Sequence, residues 1–434
     1  VLGDMNGDGQ PDMVVANYDD SNLSLFRNLV TNILPPVITQ VNPLSATIGS
    51  TVTITGQNFN TTTGNNIVFF GATSATVMGS TSTSLSVIVP SGASYQYISV
   101  TDAVTKFTGY SLLPFVVTYP TAVGVVNDFA PAVNFGTGTA STFNQQVIKD
   151  FNGDGKPDVV VGTTTGLYLL TNRTTTGSTA LSFTAQALTL SLNIRALAAD
   201  DLDGDGMPDL ALNQTTSNRF LVYKNVSAVG GSISFSNAGI SLTSAAFYSV
   251  AINDIDSDGR PDVVMAGSNS TALYIYRNTS ASGTMNFDPA ITNFTTGSNA
   301  YGLAIGDIDG DGKDDLLTAN YTNPNLSLLR NTSTGPGSIT FAAVTSTGSV
   351  AGQVSRSIAL ADFNGDGKLD VVLDYSANGN TVSVFLNKAV SGTIGVGSFS
   401  PSITLTALPS GLAQAVTAGD IDGDGKVDIV AANN

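Results

Sequence analysis

The chain has no cysteine, no histidine and no tryptophan, and all 33 of its acidic residues are aspartate, because none of its 434 residues is glutamate. The lack of cysteine excludes disulfides, zinc–thiolate sites and a thiol nucleophile. The lack of histidine and glutamate removes most of the usual acid, base and nucleophile set. Aspartate, lysine, serine and tyrosine remain, and the chain reads as a non-enzyme. Basic residues are also few, 16 against 33 aspartates, for a net charge of −17. That balance excludes nucleic acid and an anionic membrane surface as partners, since both require a basic footprint. No run of 18 apolar residues occurs, so no membrane-inserting helix is expected. Charged residues make up only 11% of the chain. Glycine, serine, threonine and asparagine take their place, a composition common among extracellular β proteins. The Asn-x-Ser/Thr triplets at Asn172, Asn225, Asn278 and Asn331 read as turn residues rather than glycan acceptors.

What the chain does have is a repeat. The pattern Asp-x-Asp/Asn-x-Asp-Gly-x-x-Asp occurs seven times, beginning at Asp4, Asp150, Asp201, Asp254, Asp307, Asp362 and Asp420. After the first gap the steps are 51 to 58 residues, about one four-stranded propeller blade. Short apolar runs flank each loop, as in Tyr301–Gly306 before one and Val159–Val161 after another. A third alternating run ends at an asparagine, as in Ala272–Asn278, and a fourth begins near Phe129, Phe183, Phe235, Phe287, Phe341 or Phe399. Period-two alternation with β-branched and aromatic residues predicts strands, and no stretch shows helical periodicity. One four-stranded unit cannot bury both its faces, so the units are expected to stack radially, with the recurring Phe and Leu side chains between them.

The loop has the chemistry of a calcium site, since a hard cation takes six to eight oxygens. Side chains at loop positions 1, 3, 5 and 9 can converge on one ion. They are Asp4, Asn6, Asp8 and Asp12 in the first loop, then Asp150, Asn152, Asp154 and Asp158, and Asp201, Asp203, Asp205 and Asp209. They continue with Asp254, Asp256, Asp258 and Asp262, Asp307, Asp309, Asp311 and Asp315, Asp362, Asn364, Asp366 and Asp370, and Asp420, Asp422, Asp424 and Asp428. The main-chain carbonyl at position 7 adds an oxygen, from Gln10, Lys156, Met207, Arg260, Lys313, Lys368 or Lys426. Position 6 is always glycine, which permits a positive φ. An EF-hand would need glutamate at position 12, where Val15, Val161, Leu212, Met265, Thr318, Leu373 and Ala431 stand. These loops hold 25 of the 33 aspartates. Carboxylates crowded in this way repel unless a cation neutralises them. About seven structural Ca²⁺ ions would cancel fourteen of the seventeen excess negative charges.

Spacing, glycine and flanking strands together resemble the FG-GAP/VCBS repeat found in the integrin α-subunit propeller, over roughly residues 1–32 and 120–434. The resemblance implies an all-β fold: a seven-bladed β-propeller with one calcium loop per blade. Departures are Ser257 in place of the usual glycine and Asp314 in place of the usual proline, and Phe135–Gly136 is only a partial echo of the family's name. The long first gap holds Pro36–Pro43, Gly49–Phe59, Val68–Gly71 and Leu85–Pro90. These segments resemble an IPT/TIG domain, a small immunoglobulin-like β-sandwich inserted in the first blade. The expected domains are therefore 1–34 (first part of blade 1), 35–119 (IPT/TIG) and 120–434 (remaining blades).

The first two strands of the unit occur seven times, the last two only six. A longer native polypeptide, or another subunit, is expected to complete the ring, because an open edge invites pairing. Three functions fit. The first is a secreted or cell-surface, bacterial binding or adhesion module for a protein or glycan. The second is an accessory part of a secreted polysaccharide-degrading enzyme, whose chemistry would need two spaced carboxylates. The aspartates outside the loops are Asp19, Asp20, Asp102, Asp128, Asp200, Asp288, Asp314 and Asp374, and the adjacent Asp19 and Asp20 read as a solvated turn. The third is a structural element of a surface layer or filament. For a lectin, Tyr248, Tyr301 and Tyr321 stand in for the missing tryptophan as stacking groups.

Overall fold

In the computed structural model, the apolar runs flanking each Asp loop pair as antiparallel strands. Described are residues 2–3, 12–17, 22–26, 34–119, 132–135 and 143–433, without 179, 191, 244–246, 268–270, 282–283, 293, 298, 323–325, 348–353, 376–380, 406–412 and 423. The fold is all-β, and the described residues contain one helical element, the 3-10 turn Thr63–Asn65. Two compact units are present, Val1–Leu34 and Pro35–Asn434.

The first unit is an antiparallel meander of Leu2–Gly3, Asp12–Asn17 and Asn22–Phe26. Of its loop, Asp4, Asn6, Asp8 and Gln10 lie outside the described residues. So do Asp19, Asp20, Asp128 and Phe129.

In the second unit each repeat from Asp150 to Asp362 becomes a meander, and the Asp420 repeat contributes the antiparallel pair Ala413–Gly419 and Asp428–Asn433. The Asp150 sheet runs Phe143–Lys149, Asp158–Thr163, Gly166–Asn172, Phe183–Thr189. The Asp201, Asp307 and Asp362 repeats also have four strands in sequential order. In the Asp254 repeat the fourth strand is reduced to isolated bridges such as Asn278–Phe287. The asparagine that ends the third run faces the phenylalanine that starts the fourth in five repeats: Asn172–Phe183, Asn225–Phe235, Asn278–Phe287, Asn331–Phe341 and Asn387–Phe399.

The second strand of each repeat explains the stacking. It is buried on both faces in the Asp201, Asp254, Asp307 and Asp362 repeats, as in Asp262–Gly267 and Asp315–Asn320, and only partly in Asp158–Thr163 and Asp428–Asn433. Alternation sends Val263 and Met265 into the core shared with Phe220 and Val222 of the preceding repeat, and Val264 and Ala266 into the core shared with Leu316 and Leu329 of the following one. The same division recurs from the Asp150 to the Asp420 repeat. Neighbouring first strands pack side by side along this series. A polar residue on either face of the four fully buried second strands would enter a sealed core.

Residues 37–118 form a separate core around Val52, Ile54, Phe70, Leu85, Ile98 and Phe115. Phe70 and Phe115 meet edge to face at 4.9 Å. Instead of two separate sheets, one seven-stranded sheet folds over this core. The strand Thr73–Ser80 makes the turn: its first half pairs with Asn66–Phe70, its second with Ser84–Ile88, across an irregularity between Val77 and Gly79. Such an irregularity bends a strand and lets it change partners.

Candidate metal centres

Each loop is wound around its own first and last carboxylates. In the Asp201 loop, Asp201 accepts the N–H of Asp205 (3.0 Å) and of Gly206 (2.8 Å). Asp209 accepts the N–H of Leu202 (3.0 Å) at the loop's start and of Asn225 (2.8 Å) at the end of the third strand. The pattern repeats around Asp150 and Asp158, Asp254 and Asp262, Asp307 and Asp315, and Asp362 and Asp370. In the last loop Asp420 accepts from Gly425 and Asp428 from Ile421. Tight winding requires left-handed backbone at position 6, where Gly206 has φ 89° and Gly259 φ 83°. Position 4 is left-handed too, and at Ser257 a side chain is forced into it (φ 58°).

Winding brings the carboxylates together. One oxygen from each of Asp201, Asp203 and Asp209 lies within 4.8 Å of the others, and the same holds for Asp254, Asp256 and Asp262, Asp307, Asp309 and Asp311, and Asp420, Asp422 and Asp428. In the Asp150 and Asp362 loops, asparagine at position 3 removes one carboxylate. Asn152 uses its amide to reach Gly231 O (2.8 Å), and Asn364 donates to Asp366 (3.2 Å). Among the described residues the position 7 side chains are cations or apolar groups and cannot ligate a cation; Arg260 and Lys426 instead pair with the position 5 carboxylates Asp258 and Asp424. Lys313 and Lys368 donate to Ser333 O and Ala389 O, and Arg260 also donates to Ser280 O. They qualify as ligands only through their carbonyls.

The donor set fits a hard divalent cation. Asp203 Oδ1 is buried and has no hydrogen-bond partner, and an orphaned carboxylate oxygen among two further carboxylates is what a cation satisfies. Burial pushes the Asp201 carboxyl up to about 7, helped by Asp205 and Asp203. It pushes Asp158 up to about 6 and Asp315 up to about 8, and Asp209, Asp254 and Asp262 well above the carboxylate range.

Two features of these loops were missed in the sequence. The residue before the strand-ending asparagine is cationic in four repeats, Arg27 lying outside the described residues, and in the other three it sits on carboxylates 3 and 5. Lys224 pairs with Asp203 and Asp205, Arg277 with Asp256 (2.6 Å) and Asp258, and Arg330 with Asp309 (2.6 Å) and Asp311. The asparagine itself ties repeats together. Buried Asn225 donates to Pro208 O of its own loop and to Phe151 O of the preceding loop. Asn278, Asn331 and Asn387 do the same to Leu202 O, Ile255 O and Ile308 O. A lysine or arginine followed by asparagine at the third strand's end was the available signal.

The 37–118 sheet rests on the loop end of the repeats. Asp150 donates its N–H to Ala72 O (2.7 Å), Thr108 donates to Gly259 O (2.6 Å), and Tyr110 donates to Asp200 (3.2 Å). Tyr97 reaches Ile305 O (3.4 Å), and Arg260 lies over the Phe107 ring. Holding the loops therefore also holds this platform.

The description "FG-GAP-like repeat" matches residues 150–212, 201–265, 254–318, 307–373 and 375–431, and "IPT/TIG domain" matches 36–117. No curated protein matches the chain. Similar solved structures include a lectin of Agrocybe aegerita that recognises non-reducing terminal N-acetylglucosamine (18% identity, 78% of this chain and 82% of that one, TM-score 0.45). Another is an auxiliary nutrient binding protein from Bacteroides ovatus (13% identity, 92% and 98%, TM-score 0.37). A third is the Photorhabdus luminescens Tc holotoxin pore (17% identity, 83% and 16%, TM-score 0.37). With TM-scores below 0.5, none of these likenesses bears on function. The repeat matches cover well over half of the residues, and the chain belongs to the FG-GAP-like repeat family and carries an IPT/TIG domain.

Proposed function

We propose that the chain is a seven-bladed, calcium-stapled β-propeller acting as a non-catalytic binding or adhesion module at the cell surface or in the secreted fraction. The observation that carries it is the recurrence of one wound, carboxylate-lined loop at the same place in successive stacked sheets. Loop positions 1, 3, 5 and 9 and the position 7 carbonyl would hold the ion, which supplies positive charge and cross-links the loop. Millimolar calcium outside the cell suits sites of modest affinity.

The aspartates outside the loops support a non-catalytic reading. Asp200 holds Tyr110, Asp314 accepts from Asn253, Asp288 lies near Arg277, Asp102 caps a turn in the insert, and buried Asp374 accepts backbone N–H groups of Arg356 and Ser357. Each of these five described aspartates has a structural job, and no facing pair is left among them. A protein or glycan is the expected partner. A screen of glycans and matrix proteins, in millimolar calcium and in EGTA with folding monitored, should give saturable binding in calcium. A folded chain that binds nothing would overturn the reading and favour a surface-layer or filament element.

The raised carboxyls set a pH test. An unfolded aspartate titrates near 3.9, whereas Asp158, Asp201 and Asp315 titrate at about 6, 7 and 8 in the folded chain. A raised folded value means that the folded form holds the proton more tightly. The resulting stability is fully present below about pH 4 and is lost as pH rises through 6 to 8. In EGTA the melting temperature should therefore be higher at pH 5 than at pH 8. In excess calcium the order should reverse, because protons compete for the same oxygens. The same order in both buffers would contradict shared ligands.

A further inference from the structure

The first strands of the repeats carry a second constellation, at the end away from the Asp loops. Arg195, Tyr248, Tyr301 and Arg356 each stand six residues before the first aspartate of their loop. They occupy equivalent positions on adjacent repeats, and adjacent first strands pack together, so these four side chains converge. Six residues of strand place them roughly 20 Å from the loops. Here they line a cavity of about 860 Å³, within the usual range for ligand pockets.

The four join Tyr321 in a continuous stack. The Arg195 guanidinium lies 3.8 Å from the Tyr248 ring centre. Tyr248 and Tyr301 are parallel, 4.1 Å apart at 9°. Tyr321 follows at 5.1 Å, and Arg356 lies 5.2 Å from the Tyr321 ring. The ring faces are thus occupied by one another and by the guanidinium planes. What the stack offers the cavity is its edge, made of N–H and O–H donors. Burial and hydrogen bonding to Tyr248 push the Tyr301 phenol up to about 12, so it stays a neutral donor at physiological pH. Gln145, Gln146 and Ser249 add amides and a hydroxyl on neighbouring strands. Among the described residues the lining includes no acidic one, in a chain of net charge −17. Buried Asp374 accepts the backbone N–H of Arg356 (2.8 Å) and of Ser357 (2.7 Å) and so braces the segment that carries Arg356, just before the strand Ile358–Ala361.

Two guanidinium forks, phenol and amide donors, and an acid-free wall are complementary to a ligand carrying both carboxylate and hydroxyl groups. The geometry points to this cavity as a binding site for an acidic saccharide, a uronate-bearing oligosaccharide whose carboxylates meet Arg195 and Arg356 and whose hydroxyls meet the amides and phenols. This rests on the reading of the chain as a binding module and names the ligand class and the face. The ring face of the sugar contributes little, because the tyrosines have no free faces to offer. Recognition runs through hydrogen bonds and charge, and it weakens as salt is added.

The test is calorimetric titration of the full chain, in 1 mM calcium, with trigalacturonic acid and with its carboxyl-reduced trisaccharide. The expected result is saturable 1:1 binding of the acid, at least tenfold weaker binding of the reduced sugar, and at least a tenfold loss in the Arg195→Ala/Arg356→Ala double variant. Because that variant removes both ends of the stack, Arg195→Lys/Arg356→Lys is measured beside it. It keeps charge and stem packing but loses the forked donors, and should bind at least threefold more weakly with an unchanged melt. No binding of the acid by the intact chain, equal binding of acid and reduced sugar, or full affinity in a folded variant would each overturn the assignment. The broad screen separates the two readings. A ligand bound equally well by the double variant would leave the module standing and refute the cavity as its site. A chain that binds trigalacturonic acid and nothing else in the screen would establish both.

Discussion

Excess EGTA at pH 8 should lower the melting temperature of the full chain by more than 10 °C. A ligand at a hundred times its dissociation constant stabilises the folded state by about 2.7 kcal/mol. Four three-carboxylate clusters filled to that level would together contribute roughly 10 kcal/mol. In domains of 150–250 residues each kcal/mol is worth about 2–4 °C, and less in longer chains. Removing the ions also leaves the crowded carboxylates facing one another, with relief from Lys224, Arg277, Arg330, Arg260 and Lys426 among the described residues. Loss should therefore be steepest in the Asp150 and Asp362 loops, where no cation pairs with a loop carboxylate among the described residues. Differential scanning calorimetry with calcium added back checks reversibility. An unchanged melt in EGTA would sink the staple model.

Asn278→Ala should destabilise the chain by about 4 kcal/mol. The Asn278 side chain is fully buried. Its amide donates to Pro261 O (3.0 Å) and Leu202 O (2.9 Å), and its oxygen accepts the N–H of Ser280 (3.0 Å). Alanine leaves two carbonyls and one N–H buried without these partners, at about 1–3 kcal/mol for each unsatisfied group. It also cuts the tie between the Asp254 and Asp201 loops. Chemical denaturation in calcium measures the loss, with exposed Ser217→Ala as the control expected to change nothing. A loss below 1 kcal/mol would show that the asparagine does not tie the loops together.

Much of this architecture is visible in the sequence because it is periodic. Seven Asp loops with fixed glycines locate the turns, and alternation in runs such as Asp262–Gly267 locates strands. The inter-repeat ties were harder to see. Asn225 or Asn278 looks like a strand end until the preceding loop's carbonyl is placed beside it, and that contact spans more than 70 residues. The cations at Lys224, Arg277 and Arg330 escaped for the same reason, since strand pairing brings them across to carboxylates some 20 residues earlier. The sequence offers Tyr248, Tyr301 and Tyr321 as stacking groups for a sugar, whereas in the structure they stack on one another and on Arg195 and Arg356. The meaning of this stack depends on the two arginines in the same register, and register across repeats becomes visible only once the repeats are aligned on their loops. The placement of the insert on the loop end had no sequence signal, because contacts such as Thr108 to Gly259 pair dissimilar segments.

The central claim is one calcium ion per Asp loop, and native mass spectrometry of the intact chain, exchanged into volatile buffer with calcium, counts them directly. The account predicts a folded charge distribution carrying about seven ions, falling in steps as Asp209→Asn or Asp262→Asn removes one site at a time. A folded chain that carries no specifically bound ion, or that loses none in these variants, would contradict it.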